Sequence, residues 1–207
     1  MMDIERITAR HLVTDHDYRG IGAGLGPSLG SVDPQRVAEA QRDGLAVFAL
    51  NRFYRTDLAT KVTPDYYVIA DPMFFGAVGA QRRTTDGHDA DLEAYLQEHP
   101  SVVLVLPASL AYPAPISQRA VYFNDLGLEG YTRAIDPTRP RGFMCMTVMH
   151  ALSIAVYLGF APIWVSGIDS DFFRSLNRSE SGHIGLGAHH VFADHSADFQ
   201  EAQHFGG

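Results

Sequence analysis

Four short runs of mainly apolar residues limit this chain to a small set of folds. Each run has the length of a β-strand and ends close to a polar residue or a proline; they span 45–50, 66–70, 102–106 and 162–166. Continuous apolar runs of this length are typical of strands that are buried on both faces. The sequence therefore predicts a sheet that is covered by helices on both sides.

Helical patterns alternate with these strands, over residues 34–43, 89–99 and 143–158. The first of these helices has Asp33 as its N-cap, Pro34 at its first position and Gly44 past its end. Alternating strands and helices predict an α/β, Rossmann-like fold with a mostly parallel sheet. The length of 207 residues fits a single domain over 1–207.

The remaining segments have less regular patterns. Residues 108–140 are rich in Pro, Tyr and Gly and predict loops, with one extra strand at 120–123. Residues 174–187 are polar and glycine-rich, as in a mobile lid over a site, and a short helix is expected at 196–204.

Composition narrows the class of protein. Hydrophobic residues make up 46% and charged residues 19% of the chain, which is typical of a globular enzyme. The net charge is −8, and the largest basic clusters are Arg82-Arg83 and Arg139-Pro140-Arg141, so a nucleic-acid-binding surface is not expected.

The single cysteine, Cys145, excludes an internal disulfide and a multi-cysteine zinc site, and it suggests a reducing compartment. The first ten residues lack the features of a signal peptide, and no apolar run is long enough to span a membrane. We therefore expect a cytoplasmic protein without a transmembrane segment. Binding of its substrate would place it at the periphery of the inner membrane.

A glycine-rich stretch near the N-terminus predicts a nucleotide-binding loop. Gly20, Gly22, Gly24 and Gly26 alternate with other residues and are followed by Pro27 and Ser28. Missing side chains let a backbone approach a phosphate, to which the Ser28 hydroxyl and nearby amides can donate. Glycines at this density also form tight turns without a ligand, so both interpretations stay open.

Polar residues follow the predicted strands where parallel sheets bind ligands, beyond the carboxyl ends. They are Asn51, Asp71 and Asp169, and Ser28 of the glycine-rich loop is expected to converge on the same edge. Asn51 is a candidate for contacting a base or a phosphate, and the two aspartates for binding ribose hydroxyls or, together, Mg²⁺. The alternative for all three is a structural role in the following turn.

Candidate catalytic groups lie mainly near the C-terminus, where five histidines cluster: His183, His189, His190, His195 and His204. An imidazole is the usual general base at neutral pH, although most histidines lie on protein surfaces without a catalytic role. A zinc site is disfavoured because His189 and His190 are adjacent, and adjacent residues point to opposite sides of a strand. Arg141, or else Arg139, is a candidate for neutralising a phosphate or a sugar carboxylate.

Several motifs together resemble the bacterial sialyltransferases that cap lipooligosaccharides. They are Gly24-Leu25-Gly26-Pro27-Ser28-Leu29, Ala49-Leu50-Asn51-Arg52-Phe53-Tyr54, Ile69-Ala70-Asp71-Pro72 after Thr63-Pro64, and Ile163-Trp164-Val165-Ser166-Gly167-Ile168-Asp169 after Leu158-Gly159-Phe160. The series also resembles the wider superfamily, which includes motility accessory factors and 6-hydroxymethylpterin diphosphokinase-like proteins. The resemblance covers residues 21–195.

The resemblance implies roles for individual residues. It assigns nucleotide contact to Asn51 and sugar-carboxylate contact to Thr147. The arginine that precedes this Ser/Thr in the sialyltransferases corresponds to Arg141. The catalytic histidine of the sialyltransferases, which is followed by serine, matches His195-Ser196 best, with His190 as second choice. Gly24, Gly26, Pro27 and Ser28 match the donor loop, and Gly167 and Asp169 match the Gly-Ile-Asp motif.

The sequence departs from the sialyltransferases at three places. Leu25 replaces an asparagine of the glycine loop, and Asp71 replaces a second asparagine. The tyrosines that stabilise the leaving phosphate are missing, since Ser170-Asp171-Phe172-Phe173 stands in their place. An aspartate at position 71 resembles the wider superfamily more than the sialyltransferases, and it is compatible with a metal-dependent reaction.

The leading hypothesis is a glycosyltransferase of Rossmann-like, GT-A-like fold. It would move an acidic sugar from a CMP-activated nucleotide-sugar donor to a glycan acceptor, with His195 as base and no obligatory metal. Alternatives are a phosphotransferase of the pterin diphosphokinase type, with ATP and Mg²⁺ held by Asp71 and Asp169, and a nucleotide-binding module without catalysis. The irregular segment at 108–140 offers a surface for a subunit contact in a homo-oligomer or for the acceptor.

Overall fold

The structure is a computed structural model of the chain, and it describes nine stretches. They are residues 19–23, 27–75, 89–112, 116–128, 135–142, 146–169, 176–178, 184–187 and 199–201.

Within the described stretches, the strands form three sheets. In chain order they are β1 (Arg19–Ala23), β2 (Leu45–Leu50), β3 (Tyr66–Val68), β4 (Val103–Pro107), β5 (Ala120–Phe123), β6 (Gly127–Leu128), β7 (Arg141–Gly142), β8 (Ile163–Ser166), β9 (Leu176–Arg178), β10 (Ile184–Gly187) and β11 (Phe199–Glu201). The main sheet has six strands in the order β5-β4-β3-β2-β1-β8, and every pair in it is parallel. The predicted α/β, Rossmann-like fold is confirmed.

In the part of the chain that the structure describes, three α-helices connect these strands: α1 (Pro34–Arg42), α2 (Ala90–Glu98) and α3 (Thr147–Tyr157). Asp33 caps α1 by accepting from the amide of Gln35 at 2.9 Å, as predicted, and Asp89 caps α2 by accepting from Leu92 at 3.1 Å. The described connections contain four 3-10 helices, at Pro27–Ser31, Phe53–Arg55, Asp57–Thr60 and Pro72–Phe75. None of the described helices is long and apolar enough to cross a membrane.

Alternation along each strand sends side chains to two separate cores. One core packs α1 and α2 against one face of the sheet, through Val37, Leu92, Leu96, Val47, Ala49, Tyr67, Leu104 and Leu106. The other packs α3 against the opposite face, through Val148, Ala151, Ile154, Ala155, Ala46, Phe48, Val68 and Val105. The central strands are therefore buried on both faces, as their apolar runs predicted.

The direction in which successive strands are added to the sheet reverses at β1. From β1 the chain moves outward through β2, β3, β4 and β5, and it then returns through α3 to place β8 on the other side of β1. The carboxyl ends of β1 and β8 therefore flank a topological switch point, where open parallel sheets bind their ligands.

The start of the glycine-rich stretch is a strand and not a loop. Arg19–Ala23 pairs with β2 on one side and β8 on the other, which makes it an interior strand. Gly22 allows close packing, because a Cβ there would come within 3.3 Å of Val165 Cγ1, whereas a Cβ on Gly20 would lie at an ordinary contact distance of 3.6 Å from Phe160 Cβ. Gly24 and Gly26 lie outside the described residues.

The predicted C-terminal helix at 196–204 is also wrong, because Phe199–Glu201 is a strand. It pairs antiparallel with β10, which in turn pairs with β9. Hydrogen bonding to a neighbouring strand overrides the local preference of such a short segment. Both β9 and β10 lie within residues 174–187, where the sequence predicted an irregular lid.

Other boundaries shift by a few residues. The third predicted strand is displaced by one residue, and the second ends at Val68 instead of residue 70. The third helix spans Thr147–Tyr157, with residues 143–145 outside the described part of the chain. The extra strand predicted at 120–123 is present.

Candidate functional site

Ser28 joins the two segments that flank the switch point. Its backbone N–H and its hydroxyl both donate to Oδ2 of Asp169, each at 3.0 Å. Its hydroxyl oxygen accepts from the backbone N–H of Gly167, also at 3.0 Å. Three of the residues that the sequence selected are thus in direct contact. Pro27 begins the 3-10 helix that carries Ser28.

Asn51 joins three elements at the same edge of the sheet. It directly follows β2, and its Oδ1 accepts from the amides of Ala70 at 3.3 Å and Asp71 at 3.4 Å, beyond the end of β3. Its Nδ2 donates to Oγ1 of Thr147, the first residue of α3, at 2.9 Å. The structure therefore brings Asn51, Asp71 and Thr147 together.

The backbone of Asn51 is held as firmly as its side chain. Its φ of 42° is in the left-handed region, which is uncommon for a residue with a side chain. Its N–H donates to the carbonyl of Val68 at 3.0 Å, and its carbonyl accepts from the Tyr67 hydroxyl at 2.6 Å. Tyr67 is completely buried, and burial raises the pKa of its phenol well above the usual value. A neutral donor therefore fixes the Asn51 carbonyl.

Arg141 is buried, with 2% of its surface exposed, and belongs to a polar cluster beside the first two turns of α3. Its Nη1 donates to the Ser153 hydroxyl. Its Nη2 donates to the carbonyl of Asn124 at 3.3 Å and to Nδ1 of His150 at 3.2 Å. Because a guanidinium only donates, the ring proton of His150 sits on Nε2. Arg141 thus ties α3 to the segment after β5.

Burial lowers the pKa of Arg141 because desolvation penalises the charged form, and the negative charge of Asp136 partly opposes this effect. The guanidinium nevertheless stays charged at neutral pH. It adds a positive charge close to the carboxyl edge of the sheet, although its two terminal nitrogens already bind protein groups.

Asp71 and Asp169 occupy different parts of the edge. Asp71 follows β3 and Asp169 follows β8, and two other strands separate these in the sheet order. Neighbouring strands lie about 4.8 Å apart, so the two strand ends are separated by about 14 Å. No three His, Cys, Asp or Glu side chains converge on a point within the described stretches.

Two cavities among the described residues lie at opposite edges of the sheet. An open groove of about 650 Å³ is at the amino-terminal edge, where Tyr66 and Val103 begin β3 and β4 and Ala46 is the second residue of β2. A smaller cleft of about 160 Å³ is at the carboxyl edge, between the 3-10 helix of Ser28 and the connection after β2, and Arg55 and Asp57 line it. We place the candidate site at the carboxyl edge because Ser28, Asn51 and Asp169 meet their partners there, beside the switch point of the sheet.

Sequence reasoning missed part of this network. It did not select Tyr67, Asn124, His150 or Ser153, because their roles depend on partners that are distant in sequence. The sequence offered one signal, the polar Ser153 within the apolar pattern of α3. His190 and His195 lie outside the described residues.

Comparisons with known proteins support the fold. No family model matches the sequence, and no curated protein matches it significantly. Among solved structures, the chain is similar to a MAf glycosyltransferase from Magnetospirillum magneticum AMB-1, with a TM-score of 0.50 and 15% sequence identity. The similarity covers 84% of this chain and 28% of that one, so the chain spans little more than a quarter of that protein's length. At this identity the likeness concerns the fold.

Proposed function

We propose that this chain is a glycosyltransferase that binds a nucleotide-activated sugar at the carboxyl edge of its main sheet. The observation that carries the proposal is the convergence of two polar pairs at that edge, Ser28 with Asp169 and Asn51 with Thr147. They lie beside the topological switch point, where parallel α/β sheets bind ligands. The fold shared with the MAf glycosyltransferase supports the choice of glycosyl transfer.

The donor that we propose is a CMP-linked acidic sugar of the sialic acid type, and the acceptor is a glycan. The sequence motifs around Ser28, Asn51 and Asp169 support this choice through their resemblance to the lipooligosaccharide sialyltransferases. The positive charge of Arg141 beside the start of α3 also favours an anionic donor.

In the proposed reaction an acceptor hydroxyl attacks the anomeric carbon of the sugar. The bond from that carbon to the phosphate oxygen breaks, and CMP leaves with the electron pair. His195, or else His190, takes the proton of the acceptor hydroxyl. The edge of the sheet contributes by holding the donor in place and by hydrogen bonding to the departing phosphate.

We propose that the reaction needs no metal ion. The roughly 14 Å between the ends of β3 and β8 argues against one Mg²⁺ bound by Asp71 and Asp169 together. Asp169 also receives two hydrogen bonds from Ser28, which engage one of its carboxylate oxygens.

The test is thermal stabilisation of the full chain by CMP, CDP, UDP, GDP and ATP, each in Mg²⁺ and in EDTA. A ligand at a hundred times its Kd adds about 2.7 kcal/mol of stability. We expect CMP to raise the Tm equally in both conditions, and a CMP-linked acidic sugar to release CMP in the presence of a glycan acceptor. His195→Ala is expected to abolish that release while leaving the CMP shift intact.

Other outcomes favour other functions. Stabilisation by ATP only with Mg²⁺ would favour a phosphotransferase. A rise in Tm with CMP that His195→Ala leaves unchanged, together with no turnover of any CMP-sugar by the wild type, would indicate a non-catalytic nucleotide-binding module. No shift with any of the five nucleotides would overturn the proposal.

A further inference from the structure

The hydrogen-bond partners of Asn51 fix the orientation of its side-chain amide. One end of the amide faces the backbone N–H groups of Ala70 and Asp71, which can only donate. That end is therefore the oxygen, and the other end, facing Thr147, is the NH₂ group. The amide donates to Thr147 and does not accept from it.

This orientation determines what the Thr147 hydroxyl can do. A threonine hydroxyl has one proton to donate, and its oxygen accepts through its lone pairs. Since the oxygen accepts from Asn51 at 2.9 Å, the proton points away from Asn51. Within the described residues, the structure gives this proton no acceptor. Thr147 is half-buried at the carboxyl edge, so a bound ligand can reach it.

Asn51 itself has little capacity left for a ligand. Both lone pairs of its Oδ1 face backbone amides, its backbone N–H and carbonyl are bonded to Val68 and Tyr67, and one Nδ2 hydrogen is bonded to Thr147. Its left-handed backbone, with φ of 42°, carries a strain that the surrounding bonds compensate. Such an arrangement suits a residue that orients a neighbour.

We propose that Asn51 is a positioning residue, and that it acts on the substrate through the Thr147 hydroxyl instead of contacting the nucleotide itself. Asn51 holds the hydroxyl so that its proton faces the ligand, and Thr147 donates that proton to an anionic oxygen of the donor. A phosphate and a sugar carboxylate both present such an oxygen. This inference rests on the proposed function, because it assumes an anionic sugar donor at the carboxyl edge.

The experiment is a double-mutant cycle on ligand affinity, with CMP and a CMP-linked acidic sugar as probes. The variants are Thr147→Val, Asn51→Gly and the double variant; glycine adopts the left-handed backbone without strain. We expect Thr147→Val to weaken binding 10- to 100-fold, the effect of one hydrogen bond to a charged group. Asn51→Gly should weaken binding of the same probe in the wild-type background but by less than twofold in the Thr147→Val background.

Controls separate this effect from misfolding. Thr147→Ser keeps the hydroxyl and is expected to bind within about threefold of the wild type. Thr60→Val removes an exposed hydroxyl that donates to the Asp57 carbonyl, and it should leave affinity unchanged. If Thr147→Val weakens CMP and CMP-sugar equally, the anionic oxygen belongs to the phosphate; if it weakens only the CMP-sugar, the oxygen belongs to the sugar carboxylate. Both results support the proposal.

Three results would overturn it. Equal losses from Asn51→Gly in both backgrounds would mean that Asn51 contacts the ligand directly. Unchanged affinity of Thr147→Val for both probes, with the wild type binding them, would reject the role of Thr147 while the proposed function stands. A wild-type protein that binds neither probe would instead reject the proposed function and this inference with it.

Discussion

Ser28 and Asp169 hydrogen-bond to each other although 141 residues separate them in sequence. Their contact joins the segment after β1 to the segment after β8, the two strands that flank the switch point of the sheet. Gly167 adds a third member, because its amide donates to the Ser28 hydroxyl. One hydroxyl therefore links both sides of the place where we propose that the donor binds.

Loss of this hydroxyl should destabilise the protein measurably. We expect Ser28→Ala to lower the free energy of unfolding by about 1–2 kcal/mol, because the buried Gly167 amide loses its acceptor and Asp169 loses a donor. Urea denaturation followed by circular dichroism measures this change. Ser101→Ala is the matched control, since Ser101 is exposed on a turn. Equal effects of both substitutions would show that the contact contributes nothing.

Asn51 provides a test of backbone strain that is independent of any ligand. Asn51→Ala and Asn51→Gly remove the same side-chain hydrogen bonds, but only glycine adopts a φ of 42° without a steric cost. Asn51→Gly should therefore be more stable than Asn51→Ala by about 1 kcal/mol, the cost of a left-handed alanine. Thermal melts of the two variants measure this difference. The reverse order of Tm values would contradict the assigned conformation.

The sequence predicted the parts of the fold that depend on local patterns. Asp33 caps α1 where the sequence placed the cap, because an N-cap bond spans only two or three residues. The apolar runs predicted β2 and β4 well, because strands buried on both faces need continuous apolar side chains. The parallel sheet followed from their alternation with helices.

Features that depend on distant partners were not predictable. β1 has two glycines among its five residues, and it is a strand because β2 and β8 pair with it from both sides. Arg141 was predicted to bind a phosphate or a sugar carboxylate, and no local pattern revealed that its terminal nitrogens bind Ser153, Asn124 and His150. Asn51 was expected to contact the nucleotide, and no local pattern revealed that Ala70, Asp71 and Thr147 would engage its amide.

Gly20 in β1 tests whether the first glycines of the glycine-rich stretch belong to the sheet or to a nucleotide site. Gly20→Ala adds a Cβ at an ordinary contact distance of 3.6 Å from Phe160, and alanine loses less entropy on folding than glycine. We expect this variant to be more stable by about 0.5 kcal/mol and to bind CMP as the wild type does. Differential scanning calorimetry, with and without CMP, measures both quantities. A loss of CMP binding in this variant would indicate that Gly20 lies in the nucleotide site.

Arg141 should be intolerant even of a change that keeps its charge. Lysine at this position has a single ammonium group, which does not reproduce the fork that reaches Ser153, Asn124 and His150. Arg141→Lys should lower the free energy of unfolding by about 2 kcal/mol, since one buried acceptor and two half-buried acceptors lose their donors. Arg139→Lys is the control, because Arg139 is exposed and its side chain forms a surface ion pair with Asp136 at 3.4 Å. Similar stability of the two variants would argue against the buried cluster.

Tyr54 and Tyr112 predict a loss of stability at high pH. Burial, together with the hydrogen bond to Asp89, raises the pKa of Tyr54 from 10.0 to about 12. Burial, aided by the charges of Glu93 and Asp89, raises the pKa of Tyr112 to about 12 as well. Between pH 10 and 12 the unfolded chain releases these protons while the folded chain retains them, so rising pH favours unfolding across this range.

The contribution of the two phenols is therefore complete below pH 10 and is lost as the pH passes 12. Replacing both tyrosines by phenylalanine removes the titrating groups, so we expect the Tm of that variant to fall less steeply between pH 10 and 12 than the Tm of the wild type. Near pH 7 the same variant should be less stable, because the 2.6 Å hydrogen bond from Tyr54 to Asp89 is gone. Tyr122→Phe, at an exposed position on β5, serves as the control and should keep the wild-type slope. Parallel Tm curves for the double variant and the wild type would mean that these two phenols do not set the alkaline limit.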